Sequence, residues 1–330
     1  MPRRIFVSLI LRVVGNVNSD AGIGTRIPLK KIITWKQEIR PFVSARSIRR
    51  SIRERLYEKG FEIDPLMLIG RQEKQLGDIG NPILYVDDDL FGFLKPQETP
   101  LRRSAPIKIS HLISLRHSEI KVEFATRFAR DFLPKYEKGY PVPFEIELAD
   151  WIGKLDIIIS DRIGRFYEDE LTDDIKTAAL KDNKLNCDQQ KGLCQLTPEE
   201  RYRRLKAFLE ILLWEGWSFP KGSQSPSVPE YYYAAIVQTD RFVPFFGYID
   251  ITDEGKLNED LISKFKALYD KFFGKLILID YKNGSYIQYV KDKADPIKGD
   301  LKSSDIEKLI EELCCYTVPD YDVCKKRQER

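Results

Sequence analysis

Residues 5–17, IFVSLILRVVGNV, are apolar and β-branched almost throughout. A half-exposed strand alternates polar with apolar side chains. This one does not, so it reads as a central strand buried on both faces. The rest of the chain has to be built around it. The 330 residues are 42% hydrophobic, enough for a substantial core in one large domain or two ordinary ones. After the opening strand, residues 40–60 read as helix. Residues 144–148, FEIEL, alternate cleanly, and residues 155–159, LDIII, are a buried-strand candidate. Thr197-Pro198-Glu199-Glu200 has the cap, proline and acids of a helix start, and Leu205, Phe208, Leu209 and Leu212 follow as its core stripe. Residues 231–237 and 275–279 are further apolar strands, with a helical segment at 258–273 between them and a last helix beginning at 306. The order strand, helix, strands, helix, strand predicts an α+β fold of the split βαβ kind, the ferredoxin-like or RNA-recognition arrangement, with excursions inserted in its connections. The whole of 1–330 is expected to form one such domain.

The helix at 40–60, RPFVSARSIRRSIRERLYEKG, carries the strongest chemical pattern. Ser44 suits the N-cap and Gly60 the stop. At roughly 100° per residue, Arg46, Arg49, Arg50 and Arg53 share one face and Ile48, Ile52 and Leu56 the neighbouring one. Four like charges so spaced repel one another unless a polyanion relieves them. Arginine's planar fork suits phosphate. The plainer reading is a solvated basic face partly neutralised by Glu54 and Glu58.

Lys+Arg 54 against Asp+Glu 51 leaves a net charge of only +3, so a nucleic-acid site must be a local patch. Five cysteines without a CxxC pair, and only His111 and His117, argue against zinc and for a reduced, cytoplasmic protein with no metal and no cofactor. No apolar run is long enough to span a bilayer. The loop at 15–26 is rich in glycine but lacks phosphate-loop order. Lys30, Lys31, Trp35 and Lys36 then mix an aromatic with cations, which suits single-stranded nucleic acid; the plainer reading is an exposed hairpin. Asp87, Asp88 and Asp89 follow a short strand predicted from about residue 81 and are expected to cap or salt-bridge local structure. Residues 95–140 are punctuated by proline and studded with Arg102, Arg103, Lys108, Arg116, Lys121, Arg127 and Arg130. Their alternating stretches at 107–111 and 120–124 predict two arms of a projecting hairpin with little apolar content. Residues of about 164–196 are polar and read as a mobile insertion, and 316–330 as a C-terminal tail that frays from residue 325.

Five segments together resemble a known family: the first strand with GNVNSDAGIGTR, the helix start FVSARSIRRSIRE, the turn DDLFGFL, then RRSAPIKISHLISL and PFEIELADW. They are similar to the backbone subunit of the CRISPR effector complex Cascade, the seventh Cas family in its DevR-like branch, of type I and the I-B or a close archaeal subtype. The resemblance implies an RNA-recognition palm, a β-hairpin thumb at about 100–140, and further insertions. It implies partners: a CRISPR guide RNA, a target nucleic acid (DNA) read through the guide, copies of the chain in a head-to-tail filament, and other Cascade subunits, with no membrane. Carried over by motif, Ser44, Arg46, Ser47, Arg49, Arg50 and Arg53 line the RNA groove. Asn16, Asn18, Arg26, Lys30, Lys31 and Trp35 lie along it, and Arg102, Arg103, Lys108, His111, Arg116 and Arg127 belong to the arm. The role implied is non-catalytic. The alternative is a type III-like subunit cutting target RNA with Asp20; a further one is a guide-processing nuclease using His111 or His117.

Overall fold

The computed structural model describes residues 2–17, 24–69, 75–96, 100–128, 132, 140–188, 190–219, 228–291, 293 and 295–328. The first strand, Arg4–Gly15, runs through the middle of the largest sheet. It is antiparallel to the long strand Val142–Ser160 on one side and to Glu230–Thr239 on the other. Beyond the long strand lie Ile107–Ile109 and Leu112–Ser114, then Ile39–Val43 and Lys31–Ile33. Beyond Glu230–Thr239 the sheet continues through Lys275–Asp280, Ser285–Val290 and Ile297–Asp300. Among the described residues seven α-helices connect these strands: α1 (Ala45–Glu58), α2 (Val86–Phe91), α3 (Asp173–Lys181), α4 (Pro198–Glu210), α5 (Glu259–Tyr269), α6 (Ser303–Thr317) and α7 (Asp322–Gln328).

Both faces of the first strand are covered, as its sequence requires. Ile5, Val7, Leu9, Leu11 and Val13 share one core with α1, α4 and α6, while Phe6 and Ile10 share another with α5 and Phe245. In α1, Ile48, Ile52 and Leu56 are completely buried. Each such side chain contributes about 1.5–3 kcal/mol through removal from water. Ser44 has extended backbone and its Oγ accepts the Ser47 amide at 3.2 Å. The chain leaves the helix through Gly60 at φ 80°, a left-handed conformation that glycine adopts without strain. The helix is tied down at both ends before any ligand is considered.

Several expectations are corrected. Residues 81–85 form a turn in place of the expected strand; Asp87, Asp88 and Asp89 form the first turn of α2 and all are buried. Helical winding sends their carboxylates to three different sets of donors. The predicted arms do not pair with one another: Ile107–Ile109 joins the central sheet opposite Ile157–Ile159, with Ile107 fully buried. The hairpin is formed instead by Lys121–Arg127 against residues 142–148 of the long strand. It also carries apolar surface, with Phe124 and Phe128 each about 70% exposed. Where the sequence suggests a mobile insertion, the strands Arg165–Tyr167, Leu185–Asp188 and Leu193–Leu196 form a small sheet that packs with α3 around Phe166 and Leu171. The tail is helical to residue 328. Four cysteines are not free thiols: Cys187 is bonded to Cys194 and Cys315 to Cys324, leaving Cys314 buried. Strand pairing and the α6–α7 turn bring these thiols together, and their spacing alone carried no such signal. No helix among the described residues is long and apolar enough to cross a membrane.

Asp88 gives the fold a pH dependence. Burial, then the neighbouring charges of Asp64 and Asp87, push its carboxyl up to about 8 against an ordinary 3.8, although the Asn81 amide donates to it at 2.8 Å. The folded protein therefore holds a proton that the unfolded chain has lost above pH 4. Stability falls as pH rises from about 4 to about 8 and is flat beyond. Asp88→Asn is expected to be more stable than the parent at pH 8, on the order of 1–3 kcal/mol, with the gap closing toward pH 4. Urea unfolding at both pH values checks this; an equal gap at both would refute it.

Candidate nucleic-acid interface

The start of α1 brings Ser44, Arg46, Ser47, Arg49 and Arg50 of one segment together with His111 from far along the chain. Ser44 caps the helix and its hydroxyl donates to Ser47 Oγ at 2.8 Å. His111, just before the strand Leu112–Ser114, accepts the Ala45 amide on Nδ1 at 2.8 Å, and its ring packs 5.2 Å from that of Phe42. With Nδ1 an acceptor, the neutral imidazole keeps its proton on Nε2, a donor beside the helix start. Arg46 and Arg50 are exposed. Arg50 is opposed by Glu54 alone, at 3.2 Å and in solvent. Arg49 is half-buried. Burial, and then the charges of Arg53 and Arg46, hold its pKa below the usual guanidinium value. That crowding of like charge favours an anion. The helix N-terminus adds its own positive end to the same place.

The four-arginine face of the sequence divides in the fold. Arg53 donates to Asp87 at 2.7 Å and lies over the ring of Phe91, so its charge is met by a buried carboxylate. Arg46, Arg49 and Arg50 remain on that face, the first and last exposed and Arg49 half-buried.

A second cluster forms around Glu147 on the long strand. This carboxylate is 2% exposed and accepts from Leu29 N at 2.9 Å, Lys31 Nζ at 2.8 Å and Arg26 Nη2 at 2.8 Å. Burial alone would raise its pKa; Lys31, the Leu29 amide and Arg26 together hold it below the ordinary value. The buried Asn16 donates to the Glu147 carbonyl at 2.7 Å. Asn16 therefore clamps the end of the first strand to the long strand. Arg26 and Lys31 are partly exposed but ion-paired. Lys30 is half-buried. Trp35, on the turn between Lys31–Ile33 and Ile39–Val43, is 87% exposed with the Lys36 ammonium 5.3 Å from its ring. An exposed indole beside a cation can stack a base. Asn18 and Asp20 lie outside the described residues.

The arm residues separate most clearly. Arg103 is buried and bonded to Asp89 at 2.7 Å and Glu170 at 2.8 Å, with the Phe166 ring 4.5 Å away, so it anchors α2 to the insertion and touches no surface groove. Its partners are 14 and 67 residues distant, which a local pattern cannot reveal. Arg116 is engaged by Asp250 at 3.0 Å. Arg102 and Arg127 are exposed, the latter at the end of Lys121–Arg127. Lys108 belongs to a different cavity, on the Ile158 side of the sheet. His117 accepts the Ile39 amide on Nδ1 at 3.1 Å. Among the described residues no group of three or more His, Cys, Asp or Glu side chains is placed to hold a metal ion. Sequence reasoning missed Glu147, while the salt-bridging expected of Asp89 is present, with Arg103 and Arg204 as its partners.

Comparison with known proteins gives two results of the same kind. A family model described as CRISPR-associated negative auto-regulator DevR/Csa2 matches residues 71–245, more than half of the chain. Among solved structures, a chain of a "CRISPR RNA-guided surveillance complex, pre-nicking" superposes with TM-score 0.53 at 13% identity, covering 95% of this chain and 100% of that one. A chain of a second "CRISPR RNA-guided surveillance complex" gives TM-score 0.51 at 15% identity, covering 94% and 98%. No curated protein matches the sequence.

Proposed function

Because this chain belongs to the DevR/Csa2 family of CRISPR-associated proteins, we propose that it binds CRISPR guide RNA as the repeated backbone subunit of a Cascade-type surveillance complex. The observation that carries the reading is the start of α1, where Arg46, Arg49 and Arg50 crowd beside Ser44, Ser47 and His111 with too few carboxylates to balance them. Such a site holds phosphates whatever the base sequence, and target recognition is then left to pairing with the guide. The sheet order supports a palm of the RNA-recognition kind: Glu230–Thr239, the first strand, the long strand and then residues 107–114 run antiparallel, with α1 and α4 on one face. The thumb is the hairpin of Lys121–Arg127 with residues 142–148, shifted from the range the sequence suggested. Its exposed Phe124 and Phe128 are suited to a neighbouring subunit. The target is DNA and the role is scaffolding.

A chain that repeats along one RNA needs a head-to-tail interface that does not close. Mixed with guide RNAs of increasing length, the purified protein is expected to gain mass in steps of one subunit, read by native mass spectrometry. A two-fold dimer whose mass ignores RNA length would remove the backbone reading. Regular cuts in a complementary RNA that vanish in Asp20→Ala would replace the scaffold with a nuclease.

A further inference from the structure

A cavity of about 480 Å³ lies where the first strand, the end of the long strand, Ile107–Ile109 and the small inserted sheet meet. Its size is that of a small-ligand pocket. Arg4, Lys108, Arg162, Arg165 and Lys191 line it together with Asp161. Glu170 answers Arg162 at 2.6 Å and Asp188 answers Lys191 at 2.8 Å, so Lys108 and Arg165 are the cations left to meet an anion. Lys108 is exposed and has no ion-pair partner among the described residues. Arg165 reaches Asp161 only at 3.5 Å. The Nε atoms of Arg162 and Arg165 are buried and have no acceptor. An unpaired ammonium beside a loosely paired guanidinium is a local excess of positive charge that suits an anion.

The same cavity has aromatic walls. The Arg162 guanidinium lies 4.4 Å from the centre of the Tyr167 ring, and that of Arg4 lies 4.1 Å from Phe242. Tyr167 is 49% and Phe242 69% exposed, so neither ring is there to fill a core. Arginine stacked on an aromatic ring makes a flat cationic platform that accepts a nucleobase without regard to its identity. We propose that this cavity seats one nucleotide of a single-stranded nucleic acid, with its phosphate on Lys108 and Arg165 and its base against Tyr167 or Phe242. Lys108 precedes His111 by three residues, a separation of about 10 Å at most along the backbone. The inference rests on the proposed function only for the source of the nucleotide.

The test separates the two. AMP and adenosine are titrated into the purified protein by calorimetry at low salt, and a mixed-sequence 12-nucleotide RNA carrying 4-thiouridine is crosslinked to it and mapped by mass spectrometry. AMP is expected to bind about tenfold or more tightly than adenosine, and to lose about tenfold in Lys108→Ala/Arg165→Ala. The cavity variant should cost the same factor in an Arg46→Ala/Arg50→Ala background, where phosphate binding at the start of α1 is already weakened. Crosslinks are expected on peptides holding Tyr167 or Phe242 and should disappear in the cavity variant. If the double variant folds poorly, Lys108→Glu, a surface change, should give the same loss. AMP binding that ignores these cavity substitutions overturns the proposal, as do crosslinks confined to residues 40–53 and 111. In that event the α1 groove stands. Failure to bind the RNA with AMP binding intact removes the groove reading and leaves a free-nucleotide site.

Discussion

Replacing Asp89 with alanine is expected to cost about 3–5 kcal/mol of unfolding free energy, the range for removing one partner of a buried ion pair. Asp89 is completely buried. One oxygen accepts from Arg103 at 2.7 Å, the other from Arg204 at 2.9 Å, and both accept from the Gly164 amide at 3.0 Å. Glu170 would still meet Arg103 and Glu200 would still meet Arg204, but Arg103 Nη2 and Arg204 Nη1 would be left with neutral backbone carbonyls, of Arg162 and Pro82, in place of a carboxylate. The loss arises from stranded charge more than from the attraction removed, so Asp89→Asn, which keeps two polar atoms in place, should fall between alanine and the parent. Chemical denaturation of the three proteins checks the order. A loss below about 1 kcal/mol for alanine would mean that water reaches the cluster.

The second large effect concerns RNA. Removing Arg46 and Arg50 together is expected to weaken binding of single-stranded RNA by about ten- to a hundredfold at low salt, each charged interaction contributing in the usual range. The slope of log affinity against log salt should shrink by about 1.4, or 0.7 for each phosphate of a single strand that the protein no longer neutralises. RNAs of unrelated sequence should be affected alike, because phosphates carry no base information. Arg53→Ala should behave differently. Its guanidinium answers Asp87, so the change should lower stability and leave the salt slope nearly unchanged. A full unit of slope lost with Arg53, or none with the double variant, would reverse this assignment.

What could be seen in the sequence was whatever local pattern fixes. The first strand announced its two covered faces because its apolar side chains do not alternate, and α1 announced its cap, its stop and its packed face. The starts of α1 and α4 carried their own cap signals, whereas α2, α3 and α7 were not anticipated. What was hidden depended on partners far along the chain. Arg46 and Arg103 look alike in sequence, yet one is exposed and the other lies between carboxylates 14 and 67 residues away. The arms were misplaced because residues 107–109 alternate as well as any hairpin strand, and only Ile107 opposite Ile159 reveals a place in the core. The insertion looked unstructured because its core is small: Phe166, Leu171, Ala179, Leu185 and Leu196 are scattered among polar residues, and a disulfide helps to hold them.

The long strand Val142–Ser160 pairs with the first strand over residues 149–160 and with Lys121–Arg127 over residues 142–148. The hairpin is therefore the same rod as the sheet, with no joint between them. A pleated rod changes length in increments of about 3.3 Å per residue, but each single residue added or removed also turns the far end over. Within one protein lineage the reach of this arm can then drift only in paired steps of about 7 Å if Phe124 is to keep facing the same way. Such an arm works as a gauge with coarse graduations. Any spacing it sets between neighbours is inherited as a whole number of pleats.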